Sequence, residues 1–267
     1  MPTSPAVGYD LVGNRVYFHA GYNNGHAIEL VGVDVKSFEI WGGRSSESNY
    51  AMDRSHVYFK GRIIKGADPE TFVKLHSFFS KDARFVYYND TRLSHDPDHF
   101  EFLDDSVQKD SIHVYRGGWI ISNDPVHFRF IGALDGVSYY QDKNGILANS
   151  TRLPGADVAS FKPMRFGYSR DAQRVYKMEG MVARVVEGAS PAGFQVYNAY
   201  YAHDQEQVFW CGRPISGIDP DSFAILREKG EPTLGNLFFA PELNTRFLPE
   251  GEGFQKLADK QISFGLN

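Results

Sequence analysis

Short apolar and aromatic runs alternate with polar turns along most of the chain, and few stretches carry a sustained helical period. Segment 50–75, YAMDRSHVYFKGRIIKGADPETFVKL, and segment 201–226, YAHDQEQVFWCGRPISGIDPDSFAIL, share one frame, which 79–103 and 139–164 follow. An apolar anchor recurs at Val16, Val57, Val86, Val114, Ile146, Val175 and Val208, at a spacing close to thirty. Seven residues earlier stand Tyr9, Tyr50, Phe79, Val107, Tyr139, Tyr168 and Tyr201; four earlier stand Val12, Asp53, Asp82, Asp110, Asp142, Asp171 and Asp204. Downstream come Asp34, Asp68, Asp96, Asp124, Asp157, Ser190 and Asp219, and four residues after each is a phenylalanine: Phe38, Phe72, Phe100, Phe128, Phe161, Phe194 and Phe223. Seven phenylalanines in register at varying distance from the anchor establish an internal repeat.

Each part of the frame has a physical role. The segments on either side of the first Asp are β-branched and aromatic and predict two strands. The Asp-x-x-x between them predicts a turn, its carboxylate accepting backbone N–H groups that lose ladder partners there. A second turn (Lys60-Gly61, Asn89-Asp90, Gly117-Gly118, Cys211-Gly212) leads into a third short strand such as Arg62-Ile63-Ile64. The Asp-Pro-x-x-Phe step predicts a single helical or 3₁₀ turn, with Asp at the N-cap and Phe aimed at the core. One such unit cannot bury both faces alone, so copies must stack.

The expected fold is therefore all-β: about seven tandem β-meander repeats stacked in an open superhelical or solenoid-like array. The alternative is a seven-bladed β-propeller, whose four-stranded blades usually take ~40–45 residues. One domain over 1–267 is expected, with copies near 9–41, 50–75, 79–103, 107–131, 139–164, 168–197 and 201–226 and a degenerate C-terminal cap at 237–267.

Composition narrows the chemistry. Aromatic residues make up 15% of the 267, with 21 Phe and 15 Tyr but only 3 Trp, as a turn-rich β fold would use. The formal charge of −5 argues against a nucleic-acid-coating protein. The single cysteine, Cys211, excludes an internal disulfide framework and a cysteine-based zinc site. No stretch approaches the ~18 apolar residues of a membrane-spanning helix, and the first residues lack the basic and apolar regions of a secretory signal. The expectation is a cytoplasmic protein with no membrane and no nucleic-acid partner.

The copies resemble the DKNYY family of bacterial repeat proteins, named for an Asp-Lys-Asn-Tyr-Tyr motif. Asp142-Lys143-Asn144-Gly145-Ile146, Asp171-Ala172-Gln173-Arg174-Val175-Tyr176 and Asp82-Ala83-Arg84-Phe85-Val86-Tyr87-Tyr88 carry the resemblance. Gly66-Ala67-Asp68-Pro69-Glu70-Thr71-Phe72 and Gly155-Ala156-Asp157-Val158-Ala159-Ser160-Phe161 extend it, and it covers about residues 9–226. The resemblance implies a bacterial binding or accessory protein, a type found among proteins that counter secreted toxins, and no transferable activity.

Candidate chemistry is sparse. A carboxylate repeated in every copy reads as a turn and cap residue, since catalytic groups are singular. His95-Asp96-Pro97-Asp98-His99 has two imidazoles at a ligand-like spacing, yet Asp96-Pro97 is the repeat's own step and His99 fills the slot of Thr71 and Ser160. No nucleophile motif or phosphate loop occurs, and Cys211 reads as a packing cysteine. No catalytic residue, metal site or cofactor is expected.

The informative residues break the repeat. The first copy carries the insertion His19-Ala20-Gly21-Tyr22-Asn23-Asn24-Gly25-His26 and is followed by Trp41-Gly42-Gly43-Arg44. Insertions in stacked folds map to loops on one face. His19, Tyr22, Asn23, Asn24, His26, Trp41 and Arg44 are therefore the partner-binding candidates. The leading expectation is a non-enzymatic protein-binding repeat protein, most concretely an immunity protein that neutralises a cognate bacterial toxin. A carbohydrate- or envelope-binding module, with Tyr22, Trp41 and Trp119 as exposed aromatics, is the alternative; a hydrolase is the third.

Overall fold

The computed structural model describes residues 8–20, 27–41, 49–76 and 78–221. The candidates Tyr22, Asn23, Asn24, His26 and Arg44, the repeat residue Phe223 and the expected cap at 237–267 lie outside them. The chain divides into two compact units, Met1–Val126 and His127–Asn267, and the division falls inside the fourth sequence copy.

Among the described residues there is no helix, and the strands form seven small antiparallel sheets, one of three strands and six of four. Unit one holds four. The first is β1 (Gly8–Val12), β2 (Arg15–His19) and β3 (Ala27–Glu29); the second is β4 (Glu39–Ile40), β5 (Tyr50–Met52), β6 (Val57–Phe59) and β7 (Arg62–Ile63). The third is β8 (Val73–His76), β9 (Phe79–Lys81), β10 (Val86–Tyr88) and β11 (Thr91–Ser94). The fourth is β12 (Glu101–Phe102), β13 (Val107–Lys109), β14 (Val114–Arg116) and β15 (Trp119–Ser122). Unit two holds β16 (Arg129–Leu134), β17 (Val137–Asp142), β18 (Gly145–Ala148) and β19 (Thr151–Arg152), then β20 (Lys162–Pro163), β21 (Tyr168–Arg170), β22 (Val175–Glu179) and β23 (Val182–Val185). Its last sheet is β24 (Gln195–Val196), β25 (Tyr201–His203), β26 (Val208–Trp210) and β27 (Arg213–Ile215). Every sheet runs in chain order and stays open at both edges, as tandem β-meanders do.

The sheets are out of phase with the sequence frame. Among the described residues, those just after a repeat phenylalanine pair forward, with the next copy: Val73 faces Lys81 and Glu101 faces Lys109. The Asp-Pro step, expected as one helical turn, is a β-turn. Thr71 N–H donates to Asp68 O at 3.3 Å and Ser37 N–H to Asp34 O at 3.1 Å, and the chain then enters the forward strand instead of adding a second turn. The hairpin between the third and fourth strands puts Lys60, Asn89, Asn149 and Cys211 at φ between 47° and 56°, the left-handed region of a two-residue turn.

The core is aromatic and lies between neighbouring sheets of a unit. Most of the described repeat phenylalanines sit between the leading aromatic of their own copy and the aromatic after the anchor of the next; Phe128, with Val107 and Leu147 in those slots, instead stacks on Tyr140 at 5.1 Å. Phe72 lies 6.1 Å from Tyr50 and 5.8 Å from Tyr87 between ring centroids, and Phe38 lies 5.8 Å from Tyr9 and 6.1 Å from Tyr58. In unit two Phe194 is 5.6 Å from both Tyr168 and Phe209. Such tilted rings add about 0.5–1.5 kcal/mol per pair to the burial of their area.

Candidate functional site

The repeated aspartates form one device, built the same way at successive junctions. Asp82 Oδ1 accepts the N–H groups of Arg84 at 2.7 Å and Phe85 at 2.8 Å, closing its own turn. Its Oδ2 accepts the Tyr87 hydroxyl at 2.7 Å and, from the preceding copy, the Asp68 N–H at 3.1 Å. In return the Ala83 N–H donates to Thr71 Oγ1 at 3.2 Å, and that hydroxyl donates to Asp68 Oδ2 at 3.0 Å. The set recurs with Asp53, Tyr58, Asp34 and Ser37, and with Asp171, Tyr176, Asp157 and Ser160. Each clasp joins two copies through a buried carboxylate and a hydroxyl.

Electrostatics follow from this geometry. Burial pushes the carboxyls of Asp53, Asp82 and Asp171 up, but the tyrosine hydroxyl and the backbone N–H donors outweigh it and hold them below the usual carboxylate range. Burial and the adjacent carboxylate raise the partner tyrosines, Tyr176 to about 12. At Asp110 the donors that overcome burial are Ser94 and Tyr115.

Three junctions vary the device. Ser94 Oγ is interposed between Asp110, to which it donates at 2.6 Å, and the Asp96 N–H, which it accepts at 3.0 Å. His99 takes the Ser/Thr slot there, so Asp96 itself accepts the Ser111 N–H at 3.2 Å and the Ser111 hydroxyl. Those donors and the His99 imidazole, 2.7 Å away, lower Asp96 to about 2, and the contact raises His99. Asp142 has Leu147 where the tyrosine stands elsewhere, and Arg152 grips its carboxylate at 2.9 and 2.6 Å. Asp204 receives the Ser190 N–H at 2.7 Å.

Of the residues singled out from sequence, His19 is half-buried at the end of β2, opposite Gly8 and Ala27. Trp41 leans on the core, 5.5 Å from Phe72. The two are thus placed in different settings. The histidines of the His95–His99 cluster also part: His95 packs edge-on to Phe85 at 4.9 Å while His99 turns to Asp96. Among the described residues no three His, Cys, Asp or Glu converge as metal ligands. Cys211 lines a groove of about 500 Å³ with Lys177, Glu179, Arg184 and Arg213, and burial pushes its thiol up. Lys177 there is buried over the Tyr168 ring at 4.0 Å and donates to Phe166 O at 2.6 Å and Ala199 O at 3.3 Å, which makes it a structural cation.

Several large apolar side chains of unit one are exposed. Trp119 is 78% exposed, Ile120 53% and Phe78 51%, with Phe102 and Leu103 also exposed. Ring contacts link two of them through Tyr88 and the buried Phe79: Phe78 to Tyr88 at 6.1 Å, Tyr88 to Phe79 at 5.0 Å and Phe79 to Phe102 at 5.3 Å, with Phe102 also 5.7 Å from His76. Gly118, next to Trp119, presses on the Tyr88 ring so closely that a Cβ would lie 2.5 Å from Cδ1. Sequence reasoning named Trp119 but missed Arg116 beside it. Its signal was Val107 in the slot of the leading aromatic. With no ring there, Arg116 occupies the place that Phe59 and Tyr88 fill in the two preceding copies, and its Nη1 is buried without a hydrogen-bond partner.

Fold and site together define a class: tandem four-stranded β-meanders held copy to copy by paired carboxylate turns. The model of the DKNYY family matches residues 12–151, just over half of the chain, and the chain belongs to that family. Searches of curated proteins and of solved structures returned no match.

Proposed function

We propose that this chain is a non-enzymatic, protein-binding repeat protein, and that its concrete role is that of a cytoplasmic immunity protein which captures and neutralises a cognate bacterial toxin. One observation carries the binding role: Trp119 and Ile120 stand exposed side by side on the outer strand β15, a large apolar exposure of the kind that soluble proteins use for partners. The clasp carboxylates support a non-catalytic role, because Asp53, Asp82, Asp110 and Asp171 each hold several donors of their own chain and are kept ionised by them. The immunity role draws on membership of a bacterial repeat family and on the formal charge of −5, which would steer a basic enzyme towards the chain.

The test is genetic and biochemical. A toxin gene beside this one, direct binding of its product, and loss of protection on deletion are expected. An isolated gene with no growth phenotype and no captured protein would sink the proposal. The exposure of Trp119 also fits a carbohydrate-binding module. Glycan-array binding abolished by Trp119→Ala would favour that second reading.

A further inference from the structure

We propose that β15 is a docking edge on which an extended, acidic segment of a partner protein adds as a fifth strand to the fourth sheet; this rests on the protein-binding reading above. A strand at the end of a sheet presents N–H and C=O groups outside the ladder, and proteins guard such edges with charge or proline. The register aligns the outer strands of the sheets residue by residue. The position opposite the second residue after the anchor is Arg62 in β7, Thr91 in β11, Trp119 in β15, Thr151 in β19, Arg184 in β23 and Arg213 in β27. The next is Ile63, Arg92, Ile120, Arg152, Val185 and Pro214. Every one of these edges except β15 therefore carries an arginine, and β27 adds a proline. The first sheet's β3 carries Glu29, ion-paired to Arg15 at 3.6 Å. β15 reads Trp119-Ile120-Ile121-Ser122, without charge or proline, and its first two side chains are the exposed ones.

The register of β15 shifts by one residue between Val114 and Tyr115, as that of the arginine-bearing β11 does at the same place, so the lack of charge and proline is what sets β15 apart. Such an edge invites strand addition, in which the backbone supplies affinity and alternate side chains supply specificity. Charge identifies the occupant. Arg116 lies directly opposite Trp119, and its guanidinium Nη1 is out of water with no acceptor. A carboxylate delivered by the incoming strand would satisfy it, whereas a lysine there would meet a like charge. The net charge of −5 acts at long range on the encounter; Arg116 acts at contact.

The test uses the full chain and two fluorescein-labelled probes, short peptides of alternating Val and Asp and of alternating Val and Lys, followed by fluorescence anisotropy and by exchange of the Ile120 and Ile121 amides. Saturable binding of the Val/Asp peptide, at least about tenfold tighter than Val/Lys, with new protection of those amides is expected. Trp119→Thr and Ile120→Pro install uncharged residues that other copies already carry at these positions, Thr91 and Thr151 at the first and Pro214 at the second, so they keep the fold, as unchanged thermal unfolding will show. Each weakens the Val/Asp peptide by about tenfold or more, and Arg116→Gln narrows the gap between the two peptides. Equal binding of both peptides, no saturable binding of either, or indifference to the two edge variants overturns the proposal. So does sedimentation showing a dimer that Ile120→Pro dissolves, which would make a second copy the occupant. If the toxin-gene product binds and Ile120→Pro leaves that binding intact, the edge assignment fails and the protein-binding reading stands. If the peptides bind at β15 but no protein partner exists, the reverse holds.

Discussion

Asp82 receives four hydrogen bonds from three parts of the chain, and this concentration makes single residues of the clasps consequential. Asp82→Asn replaces one accepting oxygen by a donor and strips the charge from the rest, so a loss of about 2–3 kcal/mol is expected in urea unfolding. Tyr87→Phe, which removes one donor, should cost about 1 kcal/mol or slightly more. The pH dependence has a fixed sign. The carboxyls of Asp53, Asp82, Asp110 and Asp171 lie below 3.8 when folded and return to it when unfolded, so the unfolded chain binds more protons as acid is added. Their contribution is whole above about pH 5 and is lost as pH falls through the folded values. Thermal unfolding measured from pH 7 downward should hold steady and then drop below about pH 4, less steeply in Asp82→Asn. His99 titrates in the opposite sense: its contact with Asp96 raises it above 6.5, and Asp96→Asn should bring it back, as NMR of the imidazole protons will report.

At the scale of elements, the phenylalanine spine is the part the sequence announced most clearly, because a repeated residue in a repeated slot survives the drift of everything around it. Phe72 stands between Tyr50 and Tyr87, so Phe72→Ala opens a cavity at a junction and should cost about 3–5 kcal/mol by denaturant unfolding. The Asp turns were equally legible, since Asx geometry needs only local residues. The forward-pairing strands were not. Glu39-Ile40, Glu101-Phe102 and Lys162-Pro163 share no alternation and one contains proline, so nothing local marks them as strands; only the neighbouring ladder does. The expected helical turn failed for the same reason, because the chain is drawn into that ladder directly after the phenylalanine. Trp41 and Trp119 looked alike in sequence, yet one packs on Phe72 and the other stands in solvent; the difference lies in which neighbour comes to meet them. Arg116 was invisible as a candidate because its significance depends on a missing ring at Val107, directly opposite it on the neighbouring strand.

Over the whole molecule, contacts run between neighbouring copies, so disturbance should spread by neighbourhood. Hydrogen exchange of Phe72→Ala is expected to show faster amides in the second and third sheets, with those of the sheet containing β21 and β22 unchanged; uniform acceleration would contradict it. The phase difference between sequence copy and sheet has a further consequence for anyone who would cut and join these modules. A block excised at its leading aromatic, from Phe79, leaves β8 behind with the wrong neighbour, whereas a block running from Val73 to Phe100 takes a complete sheet and its closing turn. The second boundary is the seam for transplanting or multiplying copies. It also means that a duplication with breakpoints at the sequence motif would deliver chimaeric sheets, each with its first strand donated by one ancestor and the remaining three by another.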